Sequence, residues 1–407
     1  MKFLIVAVAD FPQGFATAER IRLIAKTLRS GGHEAELALI HSGRHRAVTP
    51  ADATVAGQHD GTRYRYLNGR SFRPEAVWSK ALDTLRGAFC TAAHIRTQHR
   101  AGNLDAVIFY TPNFLKILPA LLMAKWYRLG CFFELCEIGT SSGNDAALSR
   151  VRRLASIGDW LTERLAPRLA DGLIIISSRI MAYYADRLPV EKMFYLPALA
   201  DGAEFDLALN TPVEVLAEKR FVLSSGSFAQ KEGIPFIIEA FGQVASTFPD
   251  LHLVFTGNPG QEQRELFAGI ARRHGCEERL IFTGYLSRSE LIWCYQNAMA
   301  LLACRTASEF AQFGFPTKLV DYMLSGRPIL ATSVGAISET LHDGETAYLA
   351  EPENVASIAA ALRKIMENPS LAASVANNAY TLASESFDYR CHAAALSGFV
   401  SGKKSRQ

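Results

Sequence analysis

The strongest constraint on this chain is a rhythm. Short runs that are apolar on both faces alternate with longer segments of helical period along its length. FLIVAVA (3–9), AELALIH (35–41), AVIFY (106–110), FFELCE (132–137) and GLIIIS (172–177) form one series. FVLSSG (221–226), HLVFTG (252–257), LIFTG (280–284), AMALLAC (298–304) and PILAT (328–332) form a second. A strand without a polar face is covered on both sides, which marks a parallel sheet between helix layers. Strand alternating with helix then builds βαβ units with right-handed crossovers. The rhythm pauses over residues 196–220, which hold two prolines and no strand. The pattern therefore predicts an α/β protein of two Rossmann-like, doubly wound domains, 1–200 and 201–385. The segment of about 386–407 reads as a short helix able to pack back on the first domain, then a basic tail.

Composition narrows the function classes. The chain is 49% hydrophobic and 20% charged over 407 residues, enough for two cores. No stretch reaches the length of apolar residues that a spanning helix needs. The opening apolar run is closed by Asp10 and Pro12 and reads as a buried first strand, not an export signal. Seven cysteines without CxxC spacing argue against a disulfide framework and a zinc site, and fit a reducing cytoplasm. Net charge is +3, but residues 1–200 carry 26 Lys+Arg against 17 Asp+Glu, or +9, leaving −6 for the rest. The first half therefore suits an anionic neighbour such as a phospholipid surface or a lipid diphosphate. Nucleic acid is not expected, because no RNP-type, zinc-finger or basic recognition-helix pattern is present. Residues 63–100 interleave arginines with aromatics, as a membrane-facing surface would, or as a packed helix whose arginines reach water would. FLKILPALLMAKWY (114–127) reads as a covering helix of the sheet.

Three loops after strands are candidate sites. In the first, FPQGFATAERIRLIAKTL (11–28), Gly14 can bring its backbone close to a ligand; GxGxxG is absent, against an NAD enzyme. In SSGSFAQKEGIPFIIEAF (224–241), Lys231 lies between Gly226 and Gly233, within reach of a diphosphate over the strand's carboxyl end. The third, CRTASEFAQFGFPTKLVDYMLSGRPILATSVGAISETLHDGETAYL (304–349), runs from strand to GFPT and into a helix starting near Pro316 or Thr317. That start offers N–H donors to a phosphate, and Asp321, a turn further on, can accept from ribose hydroxyls.

These residues resemble a known family. P-x-K-L-x-(acid)-Y-M-x-x-G-x-P-I, then G-x-x-x-E and D-G-x-x-x-x-L, is similar to the donor half of family 4-like GT-B glycosyltransferases, the bacterial-type group 1 enzymes. The opening strand–loop–helix, the ADGLIIISSRIMAYY unit, the P-x-x-x-D-x-x-x-F hinge at 197–205, GSFAQKEGI, GNPG and FTGYLSRSEL follow the same template in order. The resemblance implies two domains facing across a cleft, a nucleotide-sugar donor, retention at the transferred carbon, and no cofactor or required metal. It places Gly226, Ser227, Lys231, Gly257, Gly284, Tyr285, Gly314, Phe315, Thr317, Lys318 and Asp321 at the donor, and Gly14 and Phe15 on the acceptor side. The implied acceptor is a saccharide or a lipid-linked one, with peripheral contact to an anionic membrane through the basic first domain.

The chain departs from that family in three ways. Ser227 stands where an arginine is usual, and Arg305 is the candidate substitute cation. Phe313, eight residues before Asp321, replaces the first of two acids, with Glu309 twelve back. No histidine follows the middle strand of the first domain; Glu137 is the candidate there for binding acceptor hydroxyls or assisting proton removal, and Glu134 lies beside it. The catalytic candidates are thus Lys231, Arg305 and Glu137. A nucleotide-sugar epimerase or hydrolase of the same fold, and a degenerate non-catalytic partner, are the alternatives.

Overall fold

The computed structural model describes residues 1–12, 14, 16–43, 54–110, 113–137, 150–206 and 210–402. These form two compact units, Met1–Leu199 with Tyr389–Gln407, and Ala200–Asp388.

The first unit runs β1 (Lys2–Ala7), α1 (Ala16–Ser30), β2 (Glu34–Leu39), β3 (Ala56–His59), β4 (Thr62–Tyr66), α2 (Val77–Arg100), β5 (Ala106–Tyr110), α3 (Phe114–Trp126), β6 (Gly130–Leu135), α4 (Arg150–Leu169), β7 (Gly172–Ile175), α5 (Ser178–Ala185) and β8 (Met193–Tyr195). Its sheet order is β3-β4-β2-β1-β5-β6-β7-β8, parallel except for the β3–β4 hairpin at one edge. β1 and β5 lie side by side, paired from Phe3–Ala106 to Val6–Phe109, and every residue of β5 is buried. That is the fully covered strand its unbroken apolar run predicts.

The second unit runs β9 (Arg220–Ser224), α6 (Ile234–Ala245), β10 (Leu251–Phe255), α7 (Gln261–Arg273), β11 (Leu280–Phe282), α8 (Arg288–Asn297), β12 (Ala300–Ala303), α9 (Glu309–Phe313), α10 (Lys318–Leu324), β13 (Ile329–Thr332), α11 (Ala336–Thr340), β14 (Tyr348–Ala350), α12 (Val355–Glu367) and α13 (Pro369–Ser386). Its six strands are all parallel, ordered β11-β10-β9-β12-β13-β14. Strand order therefore reverses between β9 and β12, and between β1 and β5 in the first unit. Such a switch point opens a crevice outside the carboxyl ends of the strands.

After the second unit the chain returns to the first as α14 (Ala393–Ser401), which packs on α1. Leu396 and Val400 join the first unit's core, and Phe399 stacks on Phe194 at 5.2 Å.

All ten strands read from the rhythm are present, and β3, β4, β8 and β14 are additional. In β4 the pattern is two-fold: Tyr64 and Tyr66 are buried while Arg63 and Arg65 face solvent. Part of the basic–aromatic stretch is therefore an ordinary half-buried strand. The covering helix α3 buries Ile117, Ala120, Leu121 and Ala124, yet Leu122 and Trp126 on it are 62% and 81% exposed. Among the described residues, no helix is long and apolar enough to cross a membrane.

Candidate functional site

In the second unit the switch point is built on the turn after β9. The Ser225 N–H donates to the Tyr322 hydroxyl at 2.8 Å, and the Ser225 hydroxyl lies 2.9 Å from that of Tyr295. Both tyrosines are buried, so α8 and α10 fix the turn from below. Above it Gly226 is exposed, with φ +127°, a conformation costly for any residue with a side chain. A Cβ there would also sit 3.3 Å from the Lys318 ammonium. Gly257 and Gly284, at the next two strand ends, are tied by the Gly257 N–H to the Gly284 carbonyl at 2.7 Å. Tyr285 beside them is 62% exposed.

The charges converge here. Lys318 Nζ donates to the Ser225 carbonyl at 2.7 Å and to Glu232 Oε2 at 2.5 Å. Both side chains are nearly covered, at 14% and 9% exposure. Burial pushes the Glu232 carboxyl up, but Lys318, Arg305 and Lys231 together outweigh it and hold it below its usual range. Three cations thus act on one carboxylate. Lys231 is half-buried in the loop, and its carbonyl accepts from the Thr306 N–H at 3.0 Å, tying that loop to the end of β12.

Arg305 is placed differently from its expected role. Its side chain is buried, and Nη1 donates to the carbonyls of Ala311 at 3.2 Å and Gly314 at 3.1 Å. It braces the loop leading to α10 instead of presenting an open guanidinium at the crevice. The start of α10 is also less generous than expected. The helix has seven residues after Thr317, and the Leu319 and Val320 N–H groups already donate to Pro316 and Thr317. Phe315 is buried against Phe387, so only its backbone can face a ligand.

Asp321 holds a partner that the sequence did not announce. Arg288 grips it in a fork, Nη1 to Oδ2 at 2.6 Å and Nη2 to Oδ1 at 2.9 Å, and also donates to Glu204 at 2.9 Å. Arg288 lies within FTGYLSRSEL and Glu204 within the hinge motif, but their meeting spans 84 residues. Glu232, next to Lys231, was likewise not singled out. Ser227 is exposed beside Gly226, and Glu309 begins α9.

In the first unit an added Cβ on Gly14 would lie 2.0 Å from the Asp10 carbonyl, so the turn after β1 accepts only glycine. Phe15 lies outside the described residues. Glu137, just past β6, is exposed. Glu134 is its opposite: fully buried, it accepts from Arg20 Nε at 2.9 Å, while Arg20 Nη2 donates to the Leu196 carbonyl at 2.8 Å. His41, after β2, is buried and held down at about 4, by burial first and by Arg73 and Lys116. Its ring is neutral, with Nδ1 2.8 Å from the Ser42 carbonyl and Nε2 3.2 Å from Arg73 Nη1. All seven cysteines are free thiols. Among the described residues, no group of three His, Cys, Asp or Glu side chains could hold a metal ion.

Residues 211–382 match the family described as "Glycosyl transferases group 1". Glycogen synthase of Mycobacterium tuberculosis is 24% identical over 300 residues, 71% of this chain and 67% of that protein. Among solved structures, sucrose-phosphate synthase from Thermosynechococcus elongatus superposes with TM-score 0.75 at 15% identity, covering 100% of both chains. Anabaena HepE in complex with UDP-glucose gives 0.68 at 16% identity, again over 100% of both. The structural likeness establishes the two-Rossmann-unit GT-B fold.

Proposed function

We propose that this chain, a group 1 glycosyltransferase, takes a nucleotide sugar as donor and passes its sugar, with retention at the anomeric carbon, to a saccharide or lipid-linked acceptor in surface polysaccharide or glycolipid assembly. One observation carries the reading. At the β9–β12 switch point a bare glycine backbone lies beside Lys318, which is paired with Glu232, and Lys231 and Arg305 also act electrostatically on that carboxylate. A residual positive charge over exposed backbone suits a diphosphate, and it offsets the charge that grows on the leaving group. The UDP-glucose complex of the HepE neighbour supports that class of donor.

Within this reading Lys231, in the loop beside the β9 turn and tied to the end of β12 through its own carbonyl, meets the phosphates. Asp321 takes the ribose hydroxyls, and its fork to Arg288 fixes the carboxylate while leaving acceptor capacity on each oxygen. Backbone from Gly314 to Thr317 lies toward phosphate and sugar. Protein cations supply the neutralisation, so the reaction requires no metal. The first unit receives the acceptor beside Gly14 and Glu137, and makes peripheral contact with the inner, anionic face of the cell membrane.

The test supplies nucleotide sugars together with a lipid-linked oligosaccharide and measures nucleoside diphosphate release and labelled lipid. Lys231→Ala and Asp321→Ala each lower transfer by about 10²-fold or more, the scale for removing a preorganised group from developing charge. Undiminished transfer in both variants refutes the site. Diphosphate release that needs no acceptor refutes the transfer.

A further inference from the structure

α2 inverts the usual helix pattern. Its inward face is small and polar, with Asp83, Gly87, Ala88, Thr91 and Ala92 buried and Ile95 the one large apolar side chain. Its outward face carries Trp78, Leu82, Leu85 and Phe89, spaced four, three and four residues apart, at 84%, 67%, 55% and 64% exposure. Residues at that spacing line one stripe of a helix. α3 packs against α2 and adds Leu122 and Trp126, at 62% and 81% exposure. Scattered exposed leucines are ordinary, but four large apolar side chains in one helical stripe are a patch, and a patch marks an interaction surface. Leu122 and Trp126 stand on the neighbouring helix, whose end meets α2 where Tyr127 stacks on His99.

Charge selects the occupant. α2 carries Lys80, Arg86, Arg96 and Arg100, and its single acid, Asp83, is buried against Asn68. On α3 Lys125 is paired with Asp171 and Lys116 is half-buried, so the cations of α2 set the charge of this face. The apolar stripe of α2 continues at the same spacing into Arg96 and Arg100, both exposed. A protein partner or a second copy would have to offer acids against that rim, and a second copy of this face has none exposed. An anionic bilayer offers acyl chains for the leucines, an interfacial zone for the tryptophans, and phosphates for the arginines.

We infer that the outward face of α2 and α3 is a membrane-docking surface, lying in the headgroup layer of an anionic bilayer with the Trp78, Leu82, Leu85 and Phe89 stripe inserted. This rests on the reading of the first unit as membrane-facing and names the surface that does it. The helices lie on the bilayer and do not cross it. A lipid-linked acceptor then diffuses in the same plane as the unit that receives it.

The experiment is co-sedimentation of the full chain with vesicles of about 30% phosphatidylglycerol in phosphatidylcholine, and with pure phosphatidylcholine. The expected result is binding to the anionic vesicles, weakened by salt, with a blue shift of tryptophan emission. Trp78→Ser combined with Phe89→Ser alters only exposed side chains, so it keeps the wild-type circular dichroism spectrum and melting profile. That variant loses at least tenfold in vesicle partitioning. If wild type ignores anionic vesicles, the membrane-facing reading itself fails. If wild type binds and the serine variant binds equally, that reading stands and this surface is refuted. If wild type instead sediments as a dimer that the serine variant abolishes, without vesicle binding, a second copy covers the face and the proposal is overturned.

Discussion

Replacing Glu232 by glutamine removes the counter-charge from Lys318 while keeping the size of the side chain. The ammonium then keeps only neutral acceptors, the Ser225 carbonyl and the new amide oxygen, with no counter-charge at a side chain that is 14% exposed. Removing one partner of a buried ion pair costs about 3–5 kcal/mol, because the remaining charge stays out of water. With both groups largely covered, solvent screening trims that only toward the lower end, so about 3 kcal/mol is expected. For a unit of this size each kcal/mol moves the midpoint by about 2–4 °C. The calorimetric transition carrying the second unit therefore falls by roughly 6–12 °C. Glu232→Gln with Lys318→Met removes both charges and recovers most of the loss, since a buried pair replaced by apolar volume is often neutral or better. The pH dependence has a fixed sign. Glu232 is held below its ordinary value, so its contribution is complete above the usual carboxylate range and is lost as pH falls through the folded value. Wild type and Glu232→Gln therefore converge in acid. A single variant melting within about 2 °C of wild type, or a double variant less stable than Glu232→Gln, refutes the pair as a structural element of the crevice.

Two further outcomes follow. Gly226→Ala forces a side chain onto φ +127° and toward Lys318; it should cost about 1–3 kcal/mol in thermal unfolding and weaken nucleoside diphosphate binding about tenfold or more by titration calorimetry. An unchanged affinity moves the nucleotide away from this turn. His41, held at about 4 in the fold, takes up its proton in the unfolded chain first as pH falls below about 6.5. Stability of the first unit should drop by about 2–4 kcal/mol between those values, and His41→Gln should flatten the slope of urea midpoints against pH.

The two sheets were legible because their strands are apolar on both faces, a pattern that little else in a chain of this kind produces. β3, AGQH, has every residue exposed and no apolar face at all, so it left no mark. β4 did leave one, the two-fold alternation of Tyr64 and Tyr66, but arginines between them pulled the reading toward a charged surface. At the crevice, Lys231 and Asp321 stood in recognisable motifs. What those motifs withheld is pairing: Glu232 meets Lys318 across 86 residues and Arg288 meets Asp321 across 33, distances at which spacing says nothing. Arg305 shows the converse. An arginine at a strand end looks like a ligand until the fold curls the following loop around it.

The return of α14 to the first unit orders events during synthesis. α1 leaves the ribosome early, but the side chains that finish its packing, Leu396 and Val400, are translated only after the whole second unit. A nascent first unit must therefore wait with an open flank while its neighbour is made. A premature stop after Asp388 would leave every proposed donor residue intact and still yield an enzyme whose other half cannot close its core.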